Sequence, residues 1–87
     1  MYVIAAYDTA SERNPQILRT CRKYLHHSQN SVFEGPLTPA QLRLFQAEIQ
    51  RHVDPDYDRV LVWTLPPGAI PERQSWGQPD PQPDNIL

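Results

Sequence analysis

The chain has 87 residues, one cysteine and a formal net charge of −2, which is one domain with a modest core. No apolar run approaches the roughly 18 residues of a membrane span. The lone thiol, Cys21, excludes an intrachain disulfide framework and a paired-cysteine zinc site, and the acidic balance excludes simple electrostatic wrapping of nucleic acid.

Charge is unevenly placed. From Arg13 to His27 the chain carries Arg13, Arg19, Arg22, Lys23, His26 and His27 with no acid, whereas from Asp54 onward it carries six acids and two arginines. A basic face and an acidic C-terminal side follow. The N-terminus, Met1 to Asp8, lacks the basic region of a signal peptide, and a cytoplasmic, reducing setting is expected.

Tyr2 to Tyr7 is a nearly continuous apolar run, which predicts a central strand covered on both faces and ended by Asp8. Thr9 to Arg13 has loop chemistry. Asn14-Pro15 predicts a helix start, with asparagine as N-cap and proline at the first helical position. Ile17, Leu18, Cys21, Tyr24 and Leu25 recur at helical spacing, leaving Arg19, Arg22, Lys23 and His26 largely off that stripe. His26 and His27 read as cations at the helix C-terminus. Neighbours on a helix point about 100° apart, too divergent to share one metal ion.

Gln29 to Leu37 predicts a second extended segment, either one bent strand or two short strands joined near Gly35. Thr38-Pro39-Ala40-Gln41 is the clearest local signal, combining a capping box with proline at the first helical position. Leu42, Phe45 and Ile49 continue on one face of that helix, and Asp54-Pro55-Asp56 stops it. Arg59 to Leu65 reads as a strand, bounded by Pro66-Pro67-Gly68. Prolines then recur to the C-terminus, so this segment cannot pair continuously in a sheet interior. Its closing Asp84-Asn85-Ile86-Leu87 ends in an apolar hook.

The chain thus divides into a domain over 1–66 and a Pro-rich C-terminal segment over 67–87. The order β-α-β(β)-α-β predicts an α+β, ferredoxin-like sandwich with both helices on one sheet face. The other face calls for cover, and a second copy of the chain is the simplest, so a homodimer is expected.

An apolar first strand ending Tyr7-Asp8, a cation-rich first helix, the run Gln29-Asn30-Ser31-Val32-Phe33-Glu34-Gly35 with Leu37-Thr38, and the closing Trp76-Gly77 and Asp84-Asn85-Ile86-Leu87 resemble CRISPR-associated protein two from end to end. The resemblance implies a ferredoxin-like homodimer whose C-terminal strand commonly crosses to the partner's sheet. It implies a role in spacer acquisition with the CRISPR integrase, protein one. It also implies a magnesium-dependent (Mg2+) endonuclease acting on single-stranded RNA or double-stranded DNA, with Asp8 as catalytic residue and metal ligand near the dimer axis. The tail departs from the family pattern at Pro79, Pro81 and Pro83, which thin out the donors of a crossing strand.

Each candidate residue has a plainer reading beside the functional one. Asp8 is a hard oxygen ligand suited to magnesium, or the cap of the turn after its strand. Arg13, Arg19, Arg22 and Lys23 line up on a nucleic-acid backbone, or form a solvated helix face. Tyr7, next to Asp8, is a base-stacking candidate or a core residue. Trp76, Ile86 and Leu87 are expected to dock the tail on the dimer partner or the integrase by a form of β-augmentation; the plainer reading is a solvated tail. Two other functions stay open: a non-catalytic dimeric scaffold that binds duplex DNA, and a toxin-type ferredoxin-like ribonuclease.

Overall fold

The N-terminal apolar run becomes strand β1, Tyr2–Asp8, inside a four-stranded sheet. The computed structural model describes residues 1–78. After β1 come α1 (Asn14–Tyr24), β2 (His26–Gln29), β3 (Val32–Pro36), α2 (Pro39–His52) and β4 (Arg59–Leu65). The sheet runs β2-β3-β1-β4 and is antiparallel throughout. Each β-α-β unit therefore has a strand of the other unit between its own two, the interleaving that defines the ferredoxin-like sandwich expected from the element order.

Alternation along β1 decides what each face does. Val3 and Ala5 are buried with Phe33, the partner of Ala5 on β3, and meet Ile17 and Cys21 of α1 and Phe45 and Ile49 of α2 in one core. Leu25 and Leu37 belong to the same core. The opposite face carries Ile4, Ala6 and Asp8, and directly across the β4 ladder Trp63, Leu61 and Arg59. No helix covers it. The expectation of a first strand covered on both faces holds within the chain for one face only. On β4, the sheet edge, Leu61, Val62 and Trp63 are 47%, 44% and 50% exposed.

α2 starts as its sequence dictates. Thr38 accepts from the Gln41 N–H at 3.1 Å, and the Gln41 side chain accepts from the Thr38 N–H at 2.9 Å. α1 starts differently. Arg13, already in the αR region, is the N-cap without a side-chain cap bond, and Asn14 is the first helical residue. The Asn14 side-chain oxygen accepts from the Thr9 hydroxyl rather than from a helix N–H group.

Two further boundaries differ from expectation. α1 ends at Tyr24, Leu25 is extended, and His26 and His27 belong to β2, paired with Glu34 and Phe33 of β3. They are strand residues rather than helix-end cations. The imidazole of His27 stacks on Phe33, its ladder partner, with centroids 4.4 Å apart. The break between the two short strands lies at Asn30, with φ of 43°, and Gly35 sits inside β3. Asparagine tolerates that left-handed position better than most residues.

Past β4 the described part of the tail returns to its own sheet. Arg73 Nη2 donates to Glu34 Oε2 at 2.7 Å and to Ser28 Oγ at 3.2 Å. Glu34 also accepts from the Tyr2 hydroxyl at 2.7 Å and from Ser28 Oγ. Burial pushes the Glu34 carboxyl up, but these donors outweigh it and hold it below its ordinary value.

Candidate functional site at the end of the first strand

Asp8 is the last residue of β1 and is exposed. Its ladder partner is Arg59, the first residue of β4, so both side chains leave the sheet on the uncovered face. Between them a shallow depression is lined by Asp8, Thr9, Ala10, Tyr57 and Arg59. Arg59 makes no ion pair or hydrogen bond through its side chain among the described residues. Tyr57 is 80% exposed.

What holds this depression together is Asp58, whose side chain is fully buried. Its carboxylate accepts from the Ala10 N–H at 2.9 Å, the Asp54 N–H at 2.9 Å, and Arg13 Nε and Nη2 at 2.5 and 2.9 Å. One carboxylate thus joins the β1–α1 loop, the start of α1 and the α2–β4 turn. The Arg13 guanidinium holds the Asp58 carboxyl far below the ordinary value, against its desolvation and with help from the two backbone donors. The turn is tightened further by the Tyr57 and Asp58 N–H groups bonding to the Asp54 carbonyl, and by the Asp56 N–H bonding to Asp54 Oδ1.

The predicted site residues separate into groups. Arg19 and Arg22 are exposed on α1 with no ion pair among the described residues. Arg13 is committed to Asp58, and Lys23 pairs with Glu48 of α2 at 2.7 Å. Tyr7 faces the helices, its ring 6.3 Å from that of Phe33, on the side of the sheet opposite Asp8. Burial, its main influence, pushes the Tyr7 phenol up. Trp76 is exposed and donates from Nε1 to Gln74 Oε1 at 2.8 Å. Ile86 and Leu87 lie outside the described residues.

Among the described residues no cluster of three or more His, Cys, Asp or Glu side chains forms. A magnesium ion uses only one or two carboxylates and keeps several waters, so the exposed Asp8, alone or with a second chain's copy, fits it. Sequence reasoning missed Tyr57, Asp58 and Arg59. Their signal is the acid-rich turn Asp54-Pro55-Asp56-Tyr57-Asp58 immediately before a strand, which acquires meaning only when β4 is laid beside β1.

A ferredoxin-like α+β chain with an exposed aspartate closing its central first strand is the class defined here. The chain matches the CRISPR associated protein Cas2 family over residues 1–69, and it belongs to that family. It is 45% identical over the full length of both chains to the CRISPR-associated endoribonuclease Cas2 of Frankia alni. It is 38% identical to the Thermococcus kodakarensis protein of the same name, covering 88% of each chain. Among solved structures, a Cas2 crystal structure superposes with a TM-score of 0.84 at 36% identity, covering 100% of this chain and 97% of the other. Streptococcus pyogenes Cas2 gives 0.70 at 27% identity, covering 78% and 89%. No helix among the described residues is long and apolar enough to cross a membrane.

Proposed function

We propose that the protein is a magnesium-dependent endonuclease of CRISPR adaptation. It works in the cytoplasm as a homodimer, together with the CRISPR integrase, in acquiring new spacers. The observation that carries the reading is the exposed Asp8 carboxylate at the end of β1, in a chain whose relatives are named endoribonucleases. RNA is the substrate class those names favour.

Asp8 would hold the metal, and a bound magnesium ion would supply charge stabilisation to the phosphoryl oxygens. Asp58 and Arg13 keep the loop after Asp8 in place, so the carboxylate does not have to be ordered at the moment of reaction. The exposed Arg19 and Arg22 add positive charge along α1 for the nucleic-acid backbone. The uncovered sheet face, with Ile4, Ala6, Leu61 and Trp63, supports the dimer, because burying apolar area is the main driving force for association. The domain over 1–66 carries the site, while the tail with Trp76, Ile86 and Leu87 docks on the partner subunit or the integrase.

The test is a magnesium titration of wild type and Asp8→Ala against single-stranded RNA and double-stranded DNA. Loss of cleavage by at least about a hundredfold in the variant is expected. Unchanged metal-dependent cleavage by Asp8→Ala would overturn the reading.

A further inference from the structure

Tyr57 and Arg59 flank a residue whose side chain is buried and are themselves exposed. Asp58 between them is fixed by the Ala10 and Asp54 N–H groups and the Arg13 guanidinium. The two neighbours therefore project from a turn that cannot easily rearrange. The Tyr57 residue is 80% exposed, so its ring buries little surface within the chain. On a rigid support such a ring is pre-organised for contact, because little freedom remains to be lost. Arg59 adds a cation without an ion pair among the described residues, opposite Asp8 in the β1–β4 register.

We infer that Tyr57 and Arg59 form a nucleotide subsite contiguous with Asp8, in which Tyr57 stacks on an unpaired base and Arg59 holds the adjoining phosphate. The chemistry selects single strands. An exposed aromatic ring offers stacking only to a base whose face is free, whereas a duplex keeps its base faces covered. A cation beside the ring then takes the backbone phosphate without reading sequence. The depression lined by Asp8, Thr9, Ala10, Tyr57 and Arg59 brings the nucleotide's phosphate to the carboxylate. This subsite rests on the proposed nuclease reading for its purpose, though not for its binding.

The experiment measures anisotropy of a labelled oligouridylate and of a labelled DNA duplex with the full chain in the presence of chelator, so that binding is read without cleavage. Tyr57→Ala is expected to weaken oligouridylate binding roughly tenfold and to leave duplex binding unchanged, while Tyr57→Phe keeps the ring and the affinity. Arg59→Ala is expected to weaken binding and to reduce the salt slope by about 0.7, with Arg59→Lys restoring most of both. Arg43→Ala, an exposed cation on α2, serves as the unaffected control. Wild-type oligouridylate affinity in Tyr57→Ala and Arg59→Ala, or equal losses for both probes, overturns the subsite. So does an altered sedimentation coefficient that accompanies the loss, which would assign these residues to an interface.

The two readings separate cleanly. Wild-type protein that binds oligouridylate through Tyr57 and Arg59 but never cleaves leaves the subsite standing and removes the nuclease. Asp8-dependent cleavage with an unchanged KM in Tyr57→Ala does the reverse.

Discussion

Arg13 and Asp58 meet in a two-point ion pair, Nε and Nη2 lying 2.5 and 2.9 Å from the two carboxylate oxygens. The pair joins the start of α1 to the turn before β4, and the same carboxylate holds the Ala10 N–H in the loop after Asp8. Bidentate pairs of this kind fix direction as well as distance.

Asp58→Asn keeps the shape of the side chain but removes its charge and two of its lone-pair directions. A fall in Tm of roughly 10 °C is expected near neutral pH. The pH dependence has a defined sign. The folded carboxyl lies far below its ordinary value of 3.8, so its stabilisation is complete above that value and lost as pH falls below it. The Tm gap between wild type and variant should therefore narrow below about pH 4. A gap that stays constant to strong acid would show that the charge is not what stabilises.

Trp63 is half exposed at the middle of β4, on the uncovered face across from Ile4. Placing a charge there by Trp63→Glu should convert the proposed dimer to monomer in sedimentation equilibrium, because a carboxylate resists burial in an apolar interface. A variant that remains dimeric would move the interface elsewhere.

Thr38 and Gln41 satisfy each other's N–H groups at the start of α2. Thr38→Ala should cost about 1 kcal/mol in denaturant unfolding. The midpoint should shift without a change in m, since the surface exposed on unfolding is the same.

The Cys21 thiol is fully buried, and burial pushes its pKa up to about 12. Thiol-reactive dye at neutral pH should label it only as fast as the chain unfolds, since the thiolate is the nucleophile. Rapid labelling of folded protein would mean that α1 detaches locally.

Much of the fold could be read from sequence where the partners of an interaction are close in the chain. Thr38-Pro39-Ala40-Gln41 contains both halves of its cap within four residues, and α2 begins where they say. Asn14 carries the right side chain for a cap, but Thr9 takes its oxygen. His26 and His27 extend the helical count of α1, and only pairing with β3 draws them into a strand. The site divides along the same line. Asp8 is visible as the polar stop to an apolar run, whereas Arg59 comes beside it through a strand register that no local pattern encodes. Asp58 reads as one more acid in a turn until the fold brings Arg13 and Ala10 to it.

The position of β1 has a consequence for how the protein is made. β1 precedes β3 and β4 in the chain, yet in the finished sheet it is flanked by both. While translation proceeds, Tyr2 to Tyr7 leaves the ribosome as an apolar ribbon with both hydrogen-bonding edges bare, and it stays half-paired until Arg59 to Leu65 has emerged. Bare apolar edges are templates for mispairing. Slow translation through α2 would prolong that interval, so the rate of synthesis there should influence how much protein reaches the native sheet.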